Sequence, residues 1–263
     1  MNTNWIRYVL WAAVLGGCVS ASAAPYVLLQ GNRRLDGVAI RVKNDGSIVL
    51  TDATGQQRTI DRTQVVKAAA DKPIDFERAL QQVHAGQYDA AIPVLEKIVS
   101  EMRFLSWDEQ GIVPLTHALV AKGDAVRAVT LFEAVLMDNP KLEQVEEARW
   151  TYYAALAAAG KATVLEPKLE KLIREGPATD AAKAQLLRGD LRAGMNQLES
   201  AVLDYLRTVR FYEGEKALMP VALFKTASTL EKMRDARAKD WYKRLVDEFP
   251  DSPQAVEAKG KMN

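Results

Sequence analysis

The sequence predicts a mostly α-helical protein: a helical solenoid of about five helix pairs, preceded by a small all-β, barrel-like module. Three observations carry the prediction. Residues 26–67 read as short strands broken by Gly and Asn/Asp turns, helical periodicity takes over after Pro73, and in the helical part a small residue recurs at a near-constant interval. The expected boundaries are 24–72 for the β module and 74–263 for the solenoid.

Ahead of both modules, Met1 to Ala23 contain no acidic residue, and Arg7 is followed by the apolar run Tyr8 to Gly17. That is the layout of a secretory signal peptide. A membrane-spanning helix needs about 20 apolar residues, and this run meets Gly16, Gly17, Cys18 and then Ser20 too early. Two processing points remain open. Ala21-Ser22-Ala23 fits ordinary signal peptidase, with cleavage after Ala23 and a leader of 1–23; Leu15-Gly16-Gly17-Cys18 resembles a bacterial lipobox, with a leader of 1–17 and a lipidated Cys18. Both readings expect export to the periplasm or to the periplasmic face of the outer membrane. Association with a membrane is then expected only through that lipid or through partners.

Composition narrows the chemistry. Lys+Arg number 35 and Asp+Glu 34, so the surface attracts no polyanion and nucleic acid is not an expected partner. The chain has one cysteine and two histidines, His84 and His117, far apart in sequence. This supports neither a disulfide framework nor a histidine metal cluster, and no metal or cofactor is expected.

In the β module, Val38, Ile40 and Val42 alternate with Ala39, Arg41 and Lys43, the period of a half-buried strand. Five strands are expected: Tyr26 to Gln30, Gly37 to Val42, Ser47 to Thr51, Gln56 to Ile60 and Gln64 to Lys67. Between them lie Gly31-Asn32, Asn44-Asp45-Gly46 and Asp52-Ala53-Thr54-Gly55, residues suited to tight hairpins. On pattern, the module resembles a small SH3-like or Sm-like barrel.

In the helical part the small-residue position holds Ala91, Ala128, Leu165, Ala201 and Ala238, spaced by 37, 37, 36 and 37 residues. Four residues later stand Leu95, Phe132, Leu169, Tyr205 and Tyr242. Pro140, Pro177 and Pro250 follow after a further eight, where a helix must end. A small side chain lets the second helix of a pair approach the first, and the larger one, a turn along the same face, fills the gap. This spacing resembles the tetratricopeptide repeat over residues 74–263, with a period slightly longer than the usual ~34. The first-helix small position holds Ala79, Thr116, Tyr153, Gly189 and Thr226, so the third repeat departs from the pattern. The last repeat, with Tyr242, Pro250 and Pro253, is similar to the long-period repeats of periplasmic proteins such as the Tol-Pal coordinator and the Bam-complex lipoprotein.

No nucleophile motif or phosphate loop occurs, and the pairs Asp108-Glu109, Glu146-Glu147 and Glu213 with Glu215 read as charge balance on solvated helices. The expected function is that of a non-enzymatic scaffold for envelope proteins or peptides, bound in a groove of first helices. The groove candidates are Gln82, His117, Lys122, Arg149, Tyr152, Arg188 and Arg192. The resemblance implies a partner in a trans-envelope system, Tol-Pal or proton-channel energised, or in outer-membrane assembly. The rival reading is a cell-wall or glycan-binding β module with the solenoid as spacer. It is disfavoured because Tyr26 is the only aromatic residue between positions 26 and 72. The β module is also expected to be dispensable for folding of the helices.

Overall fold

The computed structural model describes residues 24–43 and 45–262, so the processing points at Cys18 and Ala23 lie outside the described residues. The described chain divides into two compact units, 24–155 and 156–262.

The first unit opens with six strands, one more than the alternation predicts: β1 Tyr26–Leu29, β2 Arg34–Asp36, β3 Ala39–Val42, β4 Ile48–Thr51, β5 Gln57–Ile60 and β6 Val65–Ala69. The extra strand is β2, whose single apolar residue, Leu35, is flanked by charges and shows no periodicity. Two antiparallel sheets form, in the orders β2-β1-β6 and β3-β4-β5. Val27 pairs with Leu35 on one side and Ala68 on the other, while Ile48 pairs with Val42 and Ile60. Alternate residues therefore converge into one core containing Val27, Leu29, Ile48, Leu50, Ile60 and Val65. Gly37 carries the chain between the sheets, where a Cβ would lie 2.6 Å from Leu50 Cδ1 and 2.7 Å from the Thr51 carbonyl.

Three turns of this module share one device. In Asp45-x-Ser47, Asp52-x-Thr54 and Asp61-x-Thr63 the carboxylate accepts both the backbone N–H and the hydroxyl two residues on.

The helices follow: α1 Phe76–His84, α2 Tyr88–Glu101, α3 Trp107–Ala121, α4 Ala125–Asp138, α5 Glu146–Ala158, α6 Ala162–Glu175, α7 Ala178–Gly194, α8 Leu198–Phe211, α9 Met219–Lys232, α10 Ala238–Glu248 and α11 Pro253–Lys261. In chain order they number five pairs, α1/α2 to α9/α10, followed by α11; α1 packs on α2 and α3 on α4 in the first unit, and α7 packs on α8 and α9 on α10 in the second. Ser252 caps α11 by accepting the Ala255 N–H at 3.1 Å, and Pro253 occupies its first turn. Ala255 and Ala258 are then buried in one core with Tyr242 and Leu245.

In the first unit Ala91, Leu95, Ala128 and Phe132 are each 0% exposed. In the second, Leu165, Leu169, Ala201, Tyr205, Ala238 and Tyr242 are all buried. Pro140 opens a 3-10 turn, Pro140–Gln144, Pro177 stands at the N-cap of α7, and Pro250 follows α10. Among the described residues no helix is long and apolar enough to cross a membrane.

The β module is not a free-standing bead. Leu105, from the connection between α2 and α3, is 0% exposed within the strand core. Ser106 Oγ donates to the Ala68 carbonyl at 3.1 Å, and Trp107 Nε1 to that of Ala70 at 2.9 Å. Phe104 and Ser106 adopt left-handed backbone, φ 65° and 71°, which turns Leu105 towards the strands. The strands therefore share buried surface with the α2–α3 connection and the start of α3.

Candidate functional site

The first helices of the first unit line a groove of about 500 Å³. This is within the range of roughly 300–1,000 Å³ common for ligand sites. Phe76, Leu80 and Val83 reach it from α1, because residues three or four apart share a helix face. Val113 and Pro114 come from α3, Ala148 from α5, and Leu142 and Val145 from the 3-10 turn and its end. The apolar floor carries polar groups from the same helices: His84, Glu109, Gln110, His117, Glu147 and Thr151. Tyr88 meets the His117 ring edge-on at 6.1 Å.

Of the seven groove candidates, His117 lines this groove. Gln82 is half-buried on α1, with an Oε1 that has no hydrogen-bond partner. Lys122, at the end of α3, pairs with Asp89 at 2.9 Å. Arg149 lies over the Trp150 ring at 5.4 Å. Tyr152 belongs to the core: it is 4% exposed, stacks on Phe132 at 5.0 Å, and donates its hydroxyl to Glu133 at 2.9 Å. Burial and that carboxylate push the Tyr152 phenol well above its ordinary range.

Arg188 and Arg192, in the second unit, are also used internally. Asp204 on α8 is 0% exposed and accepts from Arg188 at 2.9 and 3.1 Å, Arg192 at 2.8 Å, Arg207 at 3.0 Å and Gln185 at 2.6 Å. A buried carboxylate needs such donors to offset its desolvation. Beside it, Asp190 accepts from Lys225 at 2.5 Å and from Tyr205 at 2.8 Å. Burial pushes the Asp190 carboxyl up and the Lys225 ammonium down, while each one's charge opposes the other's shift.

The carboxylate pairs also separate. Asp108, expected on a solvated surface, is 2% exposed and accepts the Phe104 N–H at 3.0 Å, whereas Glu109 turns to the groove. Phe211, the last residue of α8, is by contrast exposed. Sequence reasoning missed Leu80, Val113, Glu109 and Glu147 as groove residues. The signal was present on α3, where Val113 lies four residues before His117 and Glu109 four before that, along one face.

Among the described residues no group of three His, Cys, Asp or Glu is placed to hold a metal. What the groove offers is apolar surface, at about 25 cal/mol per Å² buried, with a few polar groups to orient what enters.

Residues 221–252 match the family model of the tetratricopeptide repeat. The match covers the fifth pair, α9 and α10, including Ala238, Tyr242 and Pro250. No curated protein and no solved structure matches the chain. The helical pairs are tetratricopeptide-like, a type of repeat that serves as a scaffold for protein–protein interaction.

Proposed function

We propose that this protein is an exported, non-enzymatic adaptor of the bacterial cell envelope that holds a partner protein by a segment laid in the groove of α1, α3 and α5. The observation that carries the reading is the apolar floor shared by three successive first helices. Single exposed apolar residues are ordinary, whereas a lined concavity built from repeated elements is where such folds take a peptide or helix. Export rests on Arg7, the apolar run after it and the small residues before Ala24. The likeness of the last repeat to long-period periplasmic repeats supports a partner in a trans-envelope or outer-membrane assembly system.

The test is site-specific photo-crosslinking in the native envelope. A photoreactive residue at Val113, in the groove, should yield a discrete adduct with an envelope protein. The same residue at the exposed Val256, on α11, should not. Equal labelling from both positions, or none from Val113, would overturn the groove as the binding surface.

A further inference from the structure

The carboxylates of the groove have no fixed cation beside them. Glu109 and Glu147 both line it, together with the histidines His84 and His117; neither glutamate has a salt-bridge partner among the described residues, and no Lys or Arg lines it. On α2, by contrast, Asp89 is matched by Lys122 and Glu96 by Arg127. A place in the first turn of a helix favours a carboxylate, and it accounts for Glu109 and Glu147 being acidic. It does not account for both facing one apolar concavity.

Two further groups on the groove helices can accept. Pro114 stands inside α3 and has no N–H to give to the Gln110 carbonyl four residues back, and both residues line the groove. Thr151, four residues after Glu147 on α5, is 3% exposed, and its hydroxyl has no hydrogen-bond partner. A buried hydroxyl without a partner is costly, and a ligand donor would relieve the cost.

We propose that the groove selects a segment of a partner protein in which apolar side chains flank a lysine or arginine, the cation lying between Glu109 and Glu147. The inference rests on the adaptor reading above and adds the chemistry of the partner. The apolar floor supplies contact area, and the two carboxylates, the Gln110 carbonyl and the Thr151 hydroxyl receive the N–H donors of the cation. An acidic segment would set like charges together in a partly dry site, so the groove discriminates by repulsion as well as attraction.

The test uses the full chain and three fluorescent peptides of about twelve residues, identical and apolar except for one central Lys, Gln or Glu. Affinity is measured by anisotropy for the parent, for the double variant Glu109→Gln/Glu147→Gln, and for Val145→Trp, which fills the groove from an exposed position. The Lys peptide should bind about tenfold or more tighter than the Glu peptide. The preference should collapse in the double variant and shrink as salt rises from about 50 to about 500 mM. Equal binding of all three peptides, with all three lost in Val145→Trp, would overturn the charge selection and leave the groove reading standing. Binding unchanged by Val145→Trp, or no binding by any peptide, would overturn both. Concentration-dependent self-association abolished by Val145→Trp would instead identify the occupant as a second copy of the chain, and would also overturn the proposal.

Discussion

Tyr205 of α8 lies against Gly189 of α7 so closely that a methyl group at residue 189 would sit 2.4 Å from Cε1 of the tyrosine ring. The missing side chain lets the two helices of the fourth pair meet, and it lets the Tyr205 hydroxyl pass to Asp190 at 2.8 Å.

Gly189→Ala should therefore destabilise the second unit. Alanine is the better helix former by about 1 kcal/mol, but overpacking at a closed contact costs about 1–3 kcal/mol. Gly194→Ala, where nothing lies within 4 Å, is the control and should be neutral or stabilising. Chemical denaturation of the two variants decides the matter. A Gly189→Ala protein as stable as the parent would mean that the ring is free to move away.

Asp204→Ala should be the more damaging change in the same unit. It strands Arg188, Arg192 and Gln185, whose donors converge on a carboxylate that is 0% exposed. Removing one partner of a buried ionic cluster typically costs about 3–5 kcal/mol. The measurement is the denaturation midpoint, which should fall much further than for Arg210→Ala, whose pair with Glu213 is exposed on both sides.

The repeat was legible because its residues are chosen by packing distance, and such constraints recur at fixed spacing. Ala91, Ala128 and Ala201 mark places where helices touch, and the larger residue four positions on fills the same seam. The groove was less legible. Tyr152, Arg188 and Arg192 look like surface residues by type, yet each has a buried role that depends on a distant residue: Phe132 for the tyrosine and Asp204 for the arginines. No local spacing encodes such a pairing. Leu105 was invisible for a similar reason, since it lies in a connection and its apolar partners are strand residues more than 35 positions earlier.

Leu105→Ala should couple the fates of strands and helices. It opens a cavity in a core where the parent residue is 0% exposed, a change that costs about 2–5 kcal/mol. Because the same connection anchors Ser106 and Trp107 to β6 and the residue after it, the loss should appear in the helices it joins, α2 and α3, as well as in the strands. Hydrogen exchange should show faster opening in both β1 and α3. Faster exchange confined to the strands would mean that the two parts open independently. The fragment 74–263 should likewise lose stability in α2 and α3.

Asp108 supplies a pH dependence of unusual sign. Burial pushes its carboxyl above the ordinary range, although the Phe104 N–H that it accepts pulls the other way. The native state thus keeps this proton to a higher pH than the unfolded chain does. Between the ordinary carboxyl value and the raised one, the native state binds more protons, and this group's contribution to stability falls as pH rises. The turn carboxylates Asp45, Asp52 and Asp61 act oppositely. Their values are lowered by hydrogen bonds from Ser47, Thr54 and Thr63, so their contribution is present above the ordinary range and is lost as pH falls through the lowered one. Asp108→Asn keeps an acceptor for the Phe104 N–H and removes the charge. It should raise the melting temperature at neutral pH, and the gain should vanish in acid, where the parent carboxyl is already protonated. Melting curves of parent and variant across the carboxyl titration range test this. A gain that persisted unchanged into acid would place the effect in packing and not in the buried charge.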